Sequence, residues 1–171
     1  MLFYDDYWKW RISIWTDRIY KTMYFDDFTL NKTLQIAPVI MDKEEMLAFA
    51  KRYDNIPLHM DEEYAKGTYF GQIIAPGVMS FMSVWANYLQ IDLAGEELLA
   101  GKSTKIEWFK PVFAGDELTA EVVVTGLTER NEKNGIVEIT FYVKNQKGVL
   151  VLTDVTEMIV KRKITGGQKR C

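Results

Sequence analysis

The residues with the clearest chemical potential are Asp54 and His59, which lie five positions apart in a segment that contains Pro57. His59 is the single histidine of the chain. A carboxylate and an imidazole brought together by such a loop can hold one water molecule and move its protons. A structural interpretation also fits, in which Asp54 turns the loop and His59 caps a short helix. Spacing alone favours the structural interpretation.

Gly77 is a second candidate, because it follows Pro76 at the start of the most apolar helical segment. Glycine allows close backbone approach, and the N–H groups at a helix N-terminus can bind a developing negative charge. An oxyanion on a thioester carbonyl would suit that place. Chain reversal by the Pro-Gly pair is the simpler explanation of the same residues, and on these residues alone it is favoured. Ser80 and Ser83 read as packing residues, since no second histidine is present to activate a serine nucleophile.

The elements around these candidates can be predicted from periodicity. Apolar spacing predicts a helix that starts at its N-cap Asp42 and ends near Tyr53. A short helix is predicted over 61–66, and the intervening segment 54–59 is predicted to be irregular because it contains proline and turn formers. Residues 78–93 form the most apolar helix, and apolar residues on nearly every face predict that it is buried.

The remainder of the chain has the alternating pattern of β-strands. Asn134 and Gly135 predict a hairpin turn, and residues 145–148 predict another. A buried helix needs a sheet to cover it, so the chain is predicted to be α+β. The predicted strands cover 33–40, 104–109, 118–125, 136–144 and 149–160.

Composition excludes several functional classes. The 171-residue chain has a net charge of −3 and no basic stripe, so nucleic-acid binding is not expected. Cys171 is the only cysteine, which rules out an internal disulfide and argues against a cysteine-based metal site. This usage predicts a cytoplasmic protein. No apolar run reaches the length of a membrane span.

The first 22 residues differ from the rest, since they hold three of the five tryptophans. They are interpreted either as an upstream extension that is not part of the native domain or as an amphipathic helix that covers an apolar patch. The predicted organisation is therefore an extension at 1–22, one domain at 23–163 and a flexible tail at 164–171.

Three segments occur in an order that resembles a known family: Asp54 with His59, the segment YFGQIIAPG ending at Gly77, and FKPVFAGD at 109–116. Over roughly 23–163 the chain resembles the MaoC-like dehydratases, relatives of the (R)-specific enoyl-CoA hydratases. The resemblance implies a single hot-dog domain, in which an antiparallel sheet wraps a long central helix. It also implies a homodimer or a dimer of dimers, an acyl thioester on CoA or acyl carrier protein as substrate, and no cofactor or metal.

The resemblance also assigns roles to individual residues. Asp54 and His59 match the catalytic pair that activates water, and Gly77 matches the glycine whose backbone N–H binds the thioester carbonyl. Water then adds to the β-carbon of an enoyl thioester, and dehydration is the reverse. Two positions depart from the family pattern, Ile56 in place of asparagine and Pro76 in place of histidine.

Two alternative functions share the same fold. A thioesterase would place a polar catalytic residue on or near the central helix, where the sequence offers Asn87 and Asp92. A non-catalytic acyl-CoA-binding module would bind the ligand without turnover, and the departures at Ile56 and Pro76 favour this alternative.

Overall fold

The computed structural model describes residues 22–91 and 93–163. The predicted extension at 1–22 (apart from Thr22), the predicted tail at 164–171 and Asp92 lie outside the described residues. Five strands form one antiparallel sheet in the order β1-β3-β4-β5-β2. The strands are β1 Thr33–Ile40, β2 Leu98–Trp108, β3 Glu117–Glu129, β4 Asn134–Lys144 and β5 Leu150–Lys161.

The helices precede most of the sheet in the chain. They are α1 Lys43–Tyr53, α2 Pro57–Met60, α3 Glu62–Lys66 and α4 Gly77–Ile91, with short 3₁₀ turns at Phe25–Asp27 and Gly95–Glu97. Among the described residues, no helix is long and apolar enough to cross a membrane.

The long helix α4 lies against the sheet, and aromatic side chains form much of that contact. The rings of Phe81 and Trp85 both lie 5.7 Å from the ring of Phe141 on β4, and that of Tyr88 lies 5.3 Å away. These spacings are typical of favourable aromatic pairs. An antiparallel sheet around one long helix is the hot-dog arrangement, so the predicted α+β fold is confirmed.

Local side chains explain where the shorter helices begin. The Asp42 carboxylate accepts a hydrogen bond of 2.9 Å from the Glu45 N–H, which caps α1 as predicted. The Asp61 carboxylate caps α3 in the same way, at 3.0 Å from the Tyr64 nitrogen. Each cap satisfies a backbone donor that the helix itself leaves unpaired.

The turn between β3 and β4 differs from the prediction. Asn134 and Gly135 are the first residues of β4, and the chain reverses over 130–133. The side-chain oxygen Oδ1 of Asn131 organises the reversal by accepting from the Lys133 N–H at 2.8 Å and the Asn134 N–H at 3.1 Å. Gly135 is needed for packing, because a Cβ there would lie 2.4 Å from the Phe25 ring.

The prediction that the central helix is buried on every side is wrong for one stripe. Val78, Met82 and Leu89 are between 39% and 49% exposed in the single chain. Spacings of four and seven residues place them on one face of α4. The edge strand β2 is also mostly exposed. An apolar face therefore remains uncovered in one copy of the chain.

Replacing Gly135 by alanine should lower the free energy of unfolding by about 1–3 kcal/mol, the usual cost of overpacking a well-filled site. The new methyl group would collide with the Phe25 ring. Urea denaturation measures the change. Gly67→Ala is the matched control, because a Cβ at Gly67 meets only the Tyr64 carbonyl oxygen at an ordinary 3.4 Å. Equal stability of the two variants would contradict this account.

Candidate functional site

His59 lies on the single turn of α2 and is only 6% exposed. Its Nδ1 is 2.8 Å from the backbone carbonyl oxygen of Ile74. A carbonyl oxygen can only accept, so Nδ1 must carry the hydrogen and donate it. In the neutral ring this leaves Nε2 as a proton acceptor. The fold therefore selects one tautomer of the histidine.

Asp54 follows the last residue of α1, and its backbone N–H closes the helix by donating to the Ala50 carbonyl at 2.9 Å. Its side chain turns the other way, with Oδ2 3.4 Å from the His59 Nε2. The Asp54 side chain is 43% exposed, whereas that of His59 is 7% exposed. Asp54 therefore lies at the surface and His59 in the interior, with the His59 Nε2 next to the Asp54 carboxylate.

Gly77 begins α4 beneath the indole ring of Trp108. A Cβ at position 77 would lie 2.7 Å from the indole Nε1, which is closer than real Cβ contacts. The first N–H groups of a helix have no intrahelical acceptor and can bind an external anion or carbonyl oxygen. Glycine is needed here because only the absence of a Cβ leaves room for the indole. The first N–H groups of α4 have no intrahelical acceptor.

The segment FKPVFAGD at 109–116 contributes residues that lie opposite His59. Gly115 has a φ of +84°, a conformation that glycine adopts without strain. The carboxylate of Asp116 accepts from the Phe113 N–H at 2.8 Å and from the Gln146 side-chain amide at 2.7 Å. The Val112 carbonyl oxygen accepts from the Ala75 N–H at 2.8 Å. These bonds fix the connection between β2 and β3 against the residues that precede α4.

These segments line a cavity of about 280 Å³ that is open to solvent on one side. His59, Gly77, Ser80 and Trp108 line it, together with apolar side chains that include Phe70 and Val112. The structure thus brings His59 and Gly77 to one cavity, and Asp54 reaches it through its contact with His59.

Sequence reasoning assigned no functional role to Trp108 or Ser80. The alternation of β2 places Trp108 on the same face as Ile106, and that signal could have identified Trp108. Ser80 lies three residues after Gly77, which places both on the same face of α4.

The residue considered for a thioesterase mechanism lies elsewhere. The Asn87 side chain donates to the backbone carbonyls of Ala37 and Pro38 at 3.0 and 3.3 Å. It therefore joins α4 to β1, and it does not line the cavity. The second residue considered, Asp92, lies outside the described residues.

A second buried carboxylate, Asp154, occupies the core face of β5. Its oxygens accept hydrogen bonds from the hydroxyl groups of Thr104 and Thr156. Burial raises the pKa of the Asp154 carboxyl, and these two hydrogen bonds oppose the change. The folded protein therefore favours the protonated carboxyl more than the unfolded chain does.

Comparison with known proteins gives consistent results. The family model described as a MaoC like domain matches residues 27–145. The (R)-specific enoyl-CoA hydratase of Aeromonas caviae is 35% identical over 119 residues, covering 68% of this chain and 83% of that protein.

Solved structures also match. A monoamine oxidase regulatory protein from Archaeoglobus is 29% identical, with a TM-score of 0.79 over 83% of this chain and 96% of its own. A MaoC-like dehydratase from Rhodospirillum rubrum is 25% identical, with a TM-score of 0.72 over 82% and 98% of the two chains.

Replacing Gly77 by alanine should destabilise the protein by about 1–3 kcal/mol, because the new methyl group collides with the indole of Trp108. The same replacement should cost less in a Trp108→Leu background, since leucine lacks the colliding ring atoms. A double-mutant cycle of denaturant unfolding measures the coupling. Equal costs in the two backgrounds would show that the indole is not the obstacle.

The stability that Asp154 contributes should depend on pH. Because its folded-state pKa is raised, its contribution is complete below the unfolded value of about 3.9 and is lost as pH rises through the folded value. Asparagine resembles the neutral carboxyl and does not titrate. The unfolding free energy of Asp154→Asn should therefore increase relative to that of the wild type as pH rises above about 4. Urea denaturation at a series of increasing pH values gives the difference, and a constant difference would refute the prediction.

Proposed function

The chain belongs to the family of MaoC-like domains, and on that basis we propose that it is a hydro-lyase acting on an acyl thioester. It adds water to a trans-2-enoyl thioester and, in reverse, dehydrates the 3-hydroxyacyl thioester. The observation that carries the proposal is the orientation of His59, whose acceptor nitrogen lies 3.4 Å from the Asp54 carboxylate at the edge of an otherwise largely apolar cavity. Relatives named as (R)-specific enoyl-CoA hydratases and a mesaconyl-CoA hydratase support the reaction class.

In this mechanism Asp54 and the His59 Nε2 hold the attacking water. As its oxygen bonds to the β-carbon, one proton passes to the Asp54–His59 pair, and negative charge moves to the thioester carbonyl oxygen. The backbone N–H of Gly77 stabilises that charge. The Asp54–His59 pair then delivers this proton to the α-carbon, which completes the addition and returns the pair to its starting protonation state. The hydrogen bond to the Ile74 carbonyl keeps Nδ1 out of the reaction and fixes which nitrogen acts.

The proposal extends to the setting of the reaction. The substrate carrier is CoA or acyl carrier protein, and the active form is a homodimer or a dimer of dimers in the cytoplasm. The uncovered stripe of α4 and the exposed edge strand β2 support association with a second copy. We assign the catalytic domain to 23–163 and regard 1–22 as an extension outside it, in agreement with the family match at 27–145.

The departures at Ile56 and Pro76 leave these contacts intact. Ile56 is the residue before α2, and its side chain does not cap that helix. Pro76 is buried, and its carbonyl oxygen accepts from the Ser80 N–H at 3.2 Å. With histidine absent from position 76, His59 is the sole imidazole that can take part.

Loss of the enoyl-thioester ultraviolet absorbance with short-chain trans-2-enoyl-CoAs tests the function. Asp54→Asn and His59→Ala should each lower turnover by about 10²–10⁴, as expected for removal of a positioned acid or base. His59→Asn is a useful partner variant, since its amide can still donate to the Ile74 carbonyl but offers no Nε2. It should be as inactive as His59→Ala while retaining more of the wild-type stability.

Glu63→Gln is the matched control for Asp54→Asn, because the Glu63 side chain is 83% exposed and pairs only with Lys66 among the described residues. It should keep full activity. Near-wild-type turnover in both Asp54→Asn and His59→Ala would refute the proposal. Release of free thiol from an acyl-CoA would instead identify a thioesterase, and tight acyl-CoA binding without turnover would identify a binding module.

A further inference from the structure

Ser80 has a buried hydroxyl group that lacks a partner. Its residue is 1% exposed, and Oγ is the one buried side-chain nitrogen or oxygen in the described part of the chain without a hydrogen bond. Ser83, three residues further along α4, donates to the Met79 carbonyl at 2.9 Å. Serines on this helix can therefore satisfy themselves on the backbone. Buried polar groups are nearly always paired, so the Ser80 hydroxyl calls for an explanation.

The position of Ser80 explains why its hydroxyl has no partner within the chain. Ser80 lines the same cavity as His59 and Gly77. Side chains on an α-helix tilt toward the N-terminus and cover the preceding turn. The Ser80 side chain is therefore directed back over the turn that Gly77 begins. The hydroxyl and the Gly77 N–H thus belong to one face of α4 at the start of the helix.

The surroundings limit what the hydroxyl can bind. Side chains such as Phe70, Ile74 and Val112 are apolar, so they offer the hydroxyl no acceptor. A ligand oxygen that enters this space would meet a donor already freed from water, and such a hydrogen bond is stronger in an apolar environment than in solvent. The hydroxyl hydrogen can therefore be donated to an acceptor atom of a bound ligand.

We propose that the Ser80 hydroxyl binds the thioester carbonyl oxygen of the substrate and acts as a second donor beside the Gly77 N–H. This inference rests on the proposed function, because that function places the carbonyl at Gly77. Charge on the carbonyl oxygen grows in the transition state, so the bond from Ser80 strengthens as the reaction proceeds. Its removal should lower kcat more than it raises KM.

The test compares Ser80→Ala with the control Ser83→Ala, using crotonyl-CoA for turnover and butyryl-CoA as an unreactive ligand. Ser80→Ala should lower kcat by about 10², the effect of losing one oxyanion donor. Its thermal midpoint should stay equal or rise, because the variant removes an unsatisfied buried group. A residue with only a structural role would lose stability together with activity.

Infrared difference spectra of bound butyryl-CoA give a readout that does not depend on turnover. The thioester carbonyl stretch should move to higher frequency in Ser80→Ala than in the wild type, and Ser83→Ala should leave it unchanged. If the wild type hydrates crotonyl-CoA while Ser80→Ala matches it in both kcat and carbonyl frequency, the role of Ser80 is refuted and the proposed function stands. If the wild type binds neither ligand, the proposed function fails and the role of Ser80 fails with it.

Discussion

The hydrogen bond from the His59 Nδ1 to the Ile74 carbonyl is the interaction on which the candidate site depends. It joins the turn of α2 to the segment that leads into α4, and it fixes which ring nitrogen remains an acceptor. One residue later, the Ala75 N–H donates to the Val112 carbonyl and attaches that same segment to the opposite wall. Two consecutive residues thus hold three parts of the chain around one cavity, and the Asp54 carboxylate meets the histidine only because this framework is in place.

Ser80, in the first turn of α4, favours function over stability. An apolar residue at position 80 would leave no polar atom unpaired. The protein instead keeps a buried hydroxyl without a partner near the start of the helix, which is the type of local cost that proteins accept at sites that bind other molecules. Gly77 carries no such cost, because a Cβ there would collide with the Trp108 indole.

Local chemistry made much of the fold predictable. The Asp42 cap of α1 and the alternation of the strands depend on neighbouring residues in sequence, and the structure agrees with both. The features that sequence reasoning missed depend on distant contacts. Gly135 was interpreted as a turn residue, although it lies in strand β4. It packs against the ring of Phe25, which is distant in sequence. Spacing suggested that Asp54 and His59 could meet, but only the position of Ile74 determines how the ring is turned.

The contact between Asp116 and Gln146 has a consequence for how this chain can change over evolution. Gln146 belongs to the β4–β5 turn, and its amide supports the carboxylate that shapes the cavity wall. Surface hairpins usually tolerate insertions and deletions, because little else depends on their length. Here the turn lies 30 positions beyond the wall residue that it supports. The length of this hairpin is therefore under the same selective constraint as the cavity, although the turn itself faces solvent.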